Sequence, residues 1–139
     1  MTTTTDFAAI FASTRTIAVV GLSPKPERDS HRVARYLQQQ GYRIVPIHPA
    51  AKEVLGEVVY PSLAAAAQAL GAGRIDMVDV FLSNELVPPV VDEAIAIGAR
   101  TLWLQIGVQH AAAQAKAQAA GLTVVHNLCT MVEHRMLGL

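Results

Sequence analysis

Four places in this 139-residue chain set chemically useful residues at spacings a ligand could exploit. The first is Gly21, which ends the apolar run Ile17-Ala-Val-Val20 and precedes Ser23, Lys25 and Arg28. A glycine there lets backbone amides approach a phosphate, and the two basic residues add charge. The plainer alternative is a tight strand-to-helix turn. The second place is His48-Pro49, with Lys52 shortly after. It is either a simple turn or a wall for an adenine, with Lys52 meeting a ribose-linked phosphate. The third, Gln105-Ile106-Gly107, breaks another apolar run and sets amides at its end, unless it is only a loop. The fourth is Cys129, the sole cysteine, read as a small buried hydrophobe or as a thiol within reach of a thiol ligand.

Other chemistries find little support. The five histidines include no i, i+4 pair and no His-x-His, so metal binding is not expected. One cysteine cannot make an internal disulfide or a cysteine-based zinc cluster. Glu133 and His134 are neighbours, and neighbours on a helix point in different directions, so they read as a solvated or packing pair. Neither a Ser-His-Asp arrangement nor a paired-carboxylate site is visible. The three-glycine dinucleotide fingerprint is missing, and Ile47-His48-Pro49 stands where a ribose-binding acid would close the second strand. Both facts weigh against a nicotinamide dinucleotide.

These residues need a scaffold, and composition suggests which. Hydrophobic residues make up 52% and charged ones 16%, as expected for a parallel sheet covered on both faces. Zero formal net charge argues against a nucleic-acid footprint, and no apolar run spans a bilayer. The N-terminus carries no basic or apolar leader, so a cytoplasmic location is expected.

The pattern alternates strand and helix. Phe7, Ile10 and Phe11 mark a one-faced helix before the first strand, Ile17–Val20. Ser30 is expected to cap a helix ended by Gly41. Tyr42–Ile47 reads as the second strand, with Pro46 predicting that pairing fails near its carboxyl end. Lys52 to Ser62 is irregular. Ser62 caps an alanine-rich helix, Met77–Phe81 is the third strand, and Pro88 or Pro89 opens the next helix. Thr101–Leu104 and Val124–His126 are the fourth and fifth strands, and a short helix from about Met131 closes the chain. The fold class is therefore α/β, a Rossmann-like doubly wound parallel sheet of about five strands. An order of 3-2-1-4-5 would place the ligand outside the carboxyl ends of the first and fourth strands.

Ile-Ala-Val-Val-Gly-Leu-Ser-Pro-Lys-Pro, Tyr-Arg-Ile-Val-Pro-Ile-His-Pro, Glu-Val-Leu-Gly-Glu-Val-Val-Tyr-Pro-Ser-Leu, Asp-Met-Val-Asp-Val-Phe and Trp-Leu-Gln-Ile-Gly-Val occur in this order. Together, from about Thr16 onward, they closely resemble the small stand-alone CoA-binding proteins of bacteria and archaea, the YccU-like group. That group is similar to the N-terminal CoA-binding domain of the succinyl-CoA synthetase α subunit. The resemblance implies one CoA-binding domain over 1–139, with an N-terminal helix in 1–15 and a core from 16. It implies that Gly21, Leu22, Ser23 and the loop from Lys25 to Arg28 cradle the phosphates of coenzyme A. His48 and Pro49 would lie by the adenosine. Lys52 stands near a synthetase lysine that contacts CoA, one residue further from the proline. Gln105, Ile106 and Gly107 match a turn meeting the pantetheine side, and Asp79-Val80-Phe81 would line the cleft. The relatives usually carry Asn-Pro in place of His48-Pro49, and the second synthetase domain with its phosphorylated histidine has no counterpart here.

The expected function is binding of CoA or an acyl-CoA by a module without evident catalytic machinery, with homodimerisation left open. The alternatives are an NAD(P)-linked oxidoreductase fragment or CoA-handling enzyme completed by a partner, and a structural domain with an empty pocket.

Overall fold

The computed structural model describes residues 5–138, so residues 1–4 of the threonine tract and Leu139 lie outside the description. A central sheet is built from β1 (Thr16–Val20), β2 (Arg43–Ile47), β5 (Met77–Val80), β6 (Thr101–Leu104) and β7 (Thr123–Val125). Every neighbouring pair runs parallel. Between β2 and β5 the chain makes a small antiparallel pair, β3 (Glu53–Val54) and β4 (Glu57–Val58). Leu55 and Gly56, both with positive φ, form the two-residue turn between them, as such hairpins require. This pair occupies the stretch that lacked periodicity in the sequence.

The sheet order is β2-β1-β5-β6-β7, or 2-1-3-4-5 in the five strands read from sequence. The expected 3-2-1-4-5 is therefore corrected, because the third strand pairs with β1 and β2 becomes an edge. Pro46 supplies the physical reason. Its carbonyl accepts from the Tyr60 amide on the side away from β1, so its missing N–H also faces outward. A central position for β2 would waste a ladder bond there; an edge position costs nothing. Pairing does not fail near the carboxyl end as expected, since Pro46 and Ile47 remain in register with Val19 and Val20. The outer edge is instead closed by Tyr60, whose carbonyl accepts from the His48 amide.

Period-two alternation sorts the sheet residues between two cores. Ala18, Val20, Val78, Val80, Leu102 and Leu104 face α3 (Leu63–Leu70), α4 (Val87–Ala96) and α5 (Ala111–Ala119). Ile17, Val19, Met77 and Trp103 face α1 (Phe7–Ala12), α2 (Asp29–Gln39) and α6 (Thr130–Met136). Ser62 caps α3 through the Ala65 amide, and prolines open α4, both as the sequence implied. Helix α2, however, starts after Arg28, and Ser30 lies inside its first turn rather than at its cap.

Helix α6 matters for the site because it closes one side of it. Its buried His134 meets Phe11, Tyr36 and Tyr42 edge-on. The Tyr36 hydroxyl and His134 Nδ1 share a hydrogen bond at 2.7 Å, and burial holds the imidazole below its usual range. The Glu133-His134 pair is thus a packing element through its histidine. No described helix is long and apolar enough to cross a membrane.

Candidate functional site

With β2-β1-β5 as the order, the chain reverses direction of travel between β1 and β5, and ligands bind at such switch points. The loop after β1 crosses that point. Gly21 holds a φ of +83°, and a Cβ there would collide with the carbonyl oxygen of Phe81 at the end of β5. Gly21 is therefore demanded first by the close approach of two strand ends, a packing reason the sequence did not reveal. Leu22 turns fully into the core and contributes no side chain to the surface.

The loop beyond is clamped by the first turn of α2. The Ser23 amide donates to Ser30 Oγ at 3.0 Å, and His31 Nδ1 lies 3.0 Å from the Ser23 carbonyl, which can only accept. Ser23 Oγ in turn accepts from the Lys25 amide. The hydroxyl read from sequence as a helix cap thus orders the loop instead.

A groove of about 760 Å³ opens over this loop. Gly21, Ser23, Lys25, Arg28, His48 and Phe81 line it, along with Pro24, Glu27, Asp29 and Ser30. Lys25 and Arg28 are both exposed, and Asp29 is ion-paired with Arg32. The N-terminus of α2 points its positive dipole end to this region. His48 Nδ1 accepts from the amides of Ala50 and Ala51 at 3.1 and 3.0 Å. That leaves Nε2 as the ring's N–H donor. Pro49 and Lys52 are exposed and do not line the groove.

A second chamber of about 250 Å³ adjoins the groove and shares Asp29 and Phe81 with it. Gln105 and Ile106 line this chamber together with Cys129. Gly107 lines neither space; its amide donates to Asn127 Oδ1 at 2.8 Å. Behind the chamber lies a closed polar triangle. Gln105 Nε2 donates to Asp79 Oδ1 and Thr130 Oγ1 at 2.6 and 2.8 Å, and the Thr130 hydroxyl donates to Asp79 Oδ2 at 3.0 Å. Burial raises the Asp79 carboxyl to about 7, against the lowering effect of the Gln105 and Thr130 hydrogen bonds. Asp79 is fully buried, so Phe81 is the member of Asp79-Val80-Phe81 that reaches the cleft.

Sequence reading missed Thr130, Val33, Met131 and Val132 as chamber or triangle residues. Their only sequence signal was the placement of a polar Asp79 inside an apolar strand. Among the described residues, no group of three or more His, Cys, Asp or Glu side chains could hold a metal ion.

The arrangement offers a groove bearing Lys25 and Arg28 at a switch point, joined to a smaller, mostly apolar chamber. Two proteins similar to this chain agree with it in size and coverage. YneT of Bacillus subtilis (strain 168) is 37% identical over 129 residues, covering 93% of this chain and 92% of its own. A hypothetical protein from Pyrococcus horikoshii OT3 is 38% identical, with a TM-score of 0.87 over 96% of this chain and 90% of that one. A dinucleotide-forming acetyl-coenzyme A synthetase from Ca. Korarchaeum cryptofilum shares the fold alone, at 22% identity. It aligns with 81% of this chain over 25% of its own length, with a TM-score of 0.67. The model describing the CoA binding domain matches residues 15–135, from the residue before β1 to near the end of α6, and the chain belongs to that family.

Proposed function

We propose that the protein binds coenzyme A or an acyl-CoA as a small binding or regulatory module in the cytoplasm. The observation that carries this reading is the groove at the β1–β5 switch point. There a clamped loop, two exposed cations and the N-terminus of α2 surround one space. The loop from Gly21 to Arg28 receives the phosphates, with Lys25 and Arg28 as point and fork charges. His48 donates through Nε2 to the adenosine or its phosphate, and Phe81 guides the pantetheine arm toward Gln105 and Ile106. Leu22 acts from beneath, by holding the loop to the core. Gly107 supports the turn. Pro49 and Lys52 reach the ligand only at its outer, adenosine end.

Titration with CoA, 3′-dephospho-CoA and NAD separates this reading from its alternatives. CoA is expected to bind tightest; preference for NAD would restore the oxidoreductase reading. Replacing both Lys25 and Arg28 with alanine is expected to weaken CoA about tenfold or more, about 1.4 kcal/mol. Pantetheine, which lacks phosphates, should lose much less. Equal losses for both ligands in calorimetry would show a structural rather than an electrostatic effect.

A further inference from the structure

The chamber next to the groove has a character of its own. Val33, Phe81, Ile106, Met131, Val132 and Cys129 form its walls, while Asp29 and Arg32, paired with each other, stand at its rim. At about 250 Å³ it is smaller than the ~300 Å³ at which pockets for whole ligands begin, so it suits one part of a ligand. Two of its walls are apolar side chains left in water: Ile106 is 68% exposed and Val132 43%.

Besides the charged pair at the rim, one buried polar side chain borders this space. Gln105 is only 4% exposed, yet it lines the chamber. The Nε2 end of the Gln105 amide is turned inward, where Asp79 Oδ1 and Thr130 Oγ1 take both its hydrogens. Oε1 has no hydrogen-bond partner among the described residues, and Gln105 borders the chamber. Thr130, the first residue of α6, locks the same amide from the other side. Asp79 and Thr130 are positioning residues for this acceptor.

We infer that the chamber holds the acyl chain of an acyl-CoA thioester, with Gln105 Oε1 accepting from an amide N–H of the pantetheine arm at its entrance. This rests on the CoA-binding reading and narrows it to a substrate class. The pantetheine arm alone does not suit the chamber. Its two amides and hydroxyl would meet few polar partners inside, because Asp29 and Arg32 pair with each other at the rim and the walls are mostly apolar, which penalises polar groups left unpaired. An alkyl chain needs no partner there and covers Ile106 and Val132.

The test is calorimetry of the full chain with CoA, acetyl-CoA and hexanoyl-CoA. Hexanoyl-CoA is expected to bind at least about tenfold tighter than CoA, with acetyl-CoA between them. In Val132→Glu, which changes an exposed residue, the hexanoyl-CoA to CoA affinity ratio is expected to fall toward one. Hexanoyl-CoA at saturation is also expected to slow iodoacetamide labelling of Cys129 more than saturating CoA does. If CoA binds but hexanoyl-CoA binds no better, or protects Cys129 no better, the acyl chamber is overturned and the CoA reading stands. If none of the three binds, the CoA reading itself fails.

Discussion

Replacing Asp79 with asparagine is expected to stabilise the protein at pH 8 and to leave it little changed near pH 4. The carboxyl is buried among Gln105 and Thr130, with no cation beside it among the described residues, and burial pushes it up to about 7 against an ordinary 3.8. Between those values the unfolded chain gives up the proton while the folded one keeps it. Stability therefore falls as pH rises from about 4 to about 7 and levels off above. Roughly three pKa units correspond to a loss of about 4 kcal/mol at most. Asparagine keeps the shape, accepts from Gln105 through Oδ1 and donates to Thr130 through Nδ2. This is the pattern of the protonated acid, so little changes near pH 4. The expected gain is up to about 4 kcal/mol at pH 8, read from urea unfolding of both proteins at pH 4 and pH 8. His134, kept neutral by burial, acts in the opposite sense: its contribution is lost as pH falls below its ordinary value. That loss is common to both proteins and cancels in the comparison. A wild type whose stability tracks the variant at both pH values would show that Asp79 is not protonated in the fold.

The second large effect is expected at Gly21. Gly21→Ala must place a Cβ against the Phe81 carbonyl oxygen while holding a φ of +83°. The left-handed conformation costs about 1–2 kcal/mol and the collision, which backbone must relieve, about 1–3 kcal/mol more. Gly107→Ala is the matching control. It has the same φ of +83° but open space around the new Cβ, so only the conformational cost applies. Urea unfolding should rank the wild type above Gly107→Ala and Gly107→Ala above Gly21→Ala. Equal losses at the two positions would mean that the ends of β1 and β5 do not meet at Gly21.

Local rules made much of this fold legible. Short, mostly apolar runs of three to six residues marked all five strands, and caps such as Ser62 and the prolines of α4 marked helix starts. The parallel class followed from strand-helix alternation, since parallel neighbours need a crossover. The loop from Gly21 to Arg28 and the residues His48 and Phe81 were visible as well, through motif order rather than chemistry alone. The YccU-like name remains a resemblance; the family itself is that of the CoA binding domain.

Strand order was a different matter. Apolar strands of similar length pair almost interchangeably, and only the missing N–H of Pro46 discriminated, by excluding β2 from the interior. The sequence by itself determined which segments become strands and helices, and that neighbouring strand residues take opposite faces, because those depend on backbone geometry and a period of two. Only the tertiary structure decided that Asp79, Gln105 and Thr130 meet, though 25 to 51 residues separate them. It also decided that Gly21 serves Phe81 and that groove and chamber adjoin. These are relations between strand ends, set by register and by helices packed across them, and no local pattern encodes a distance between two ends of a sheet.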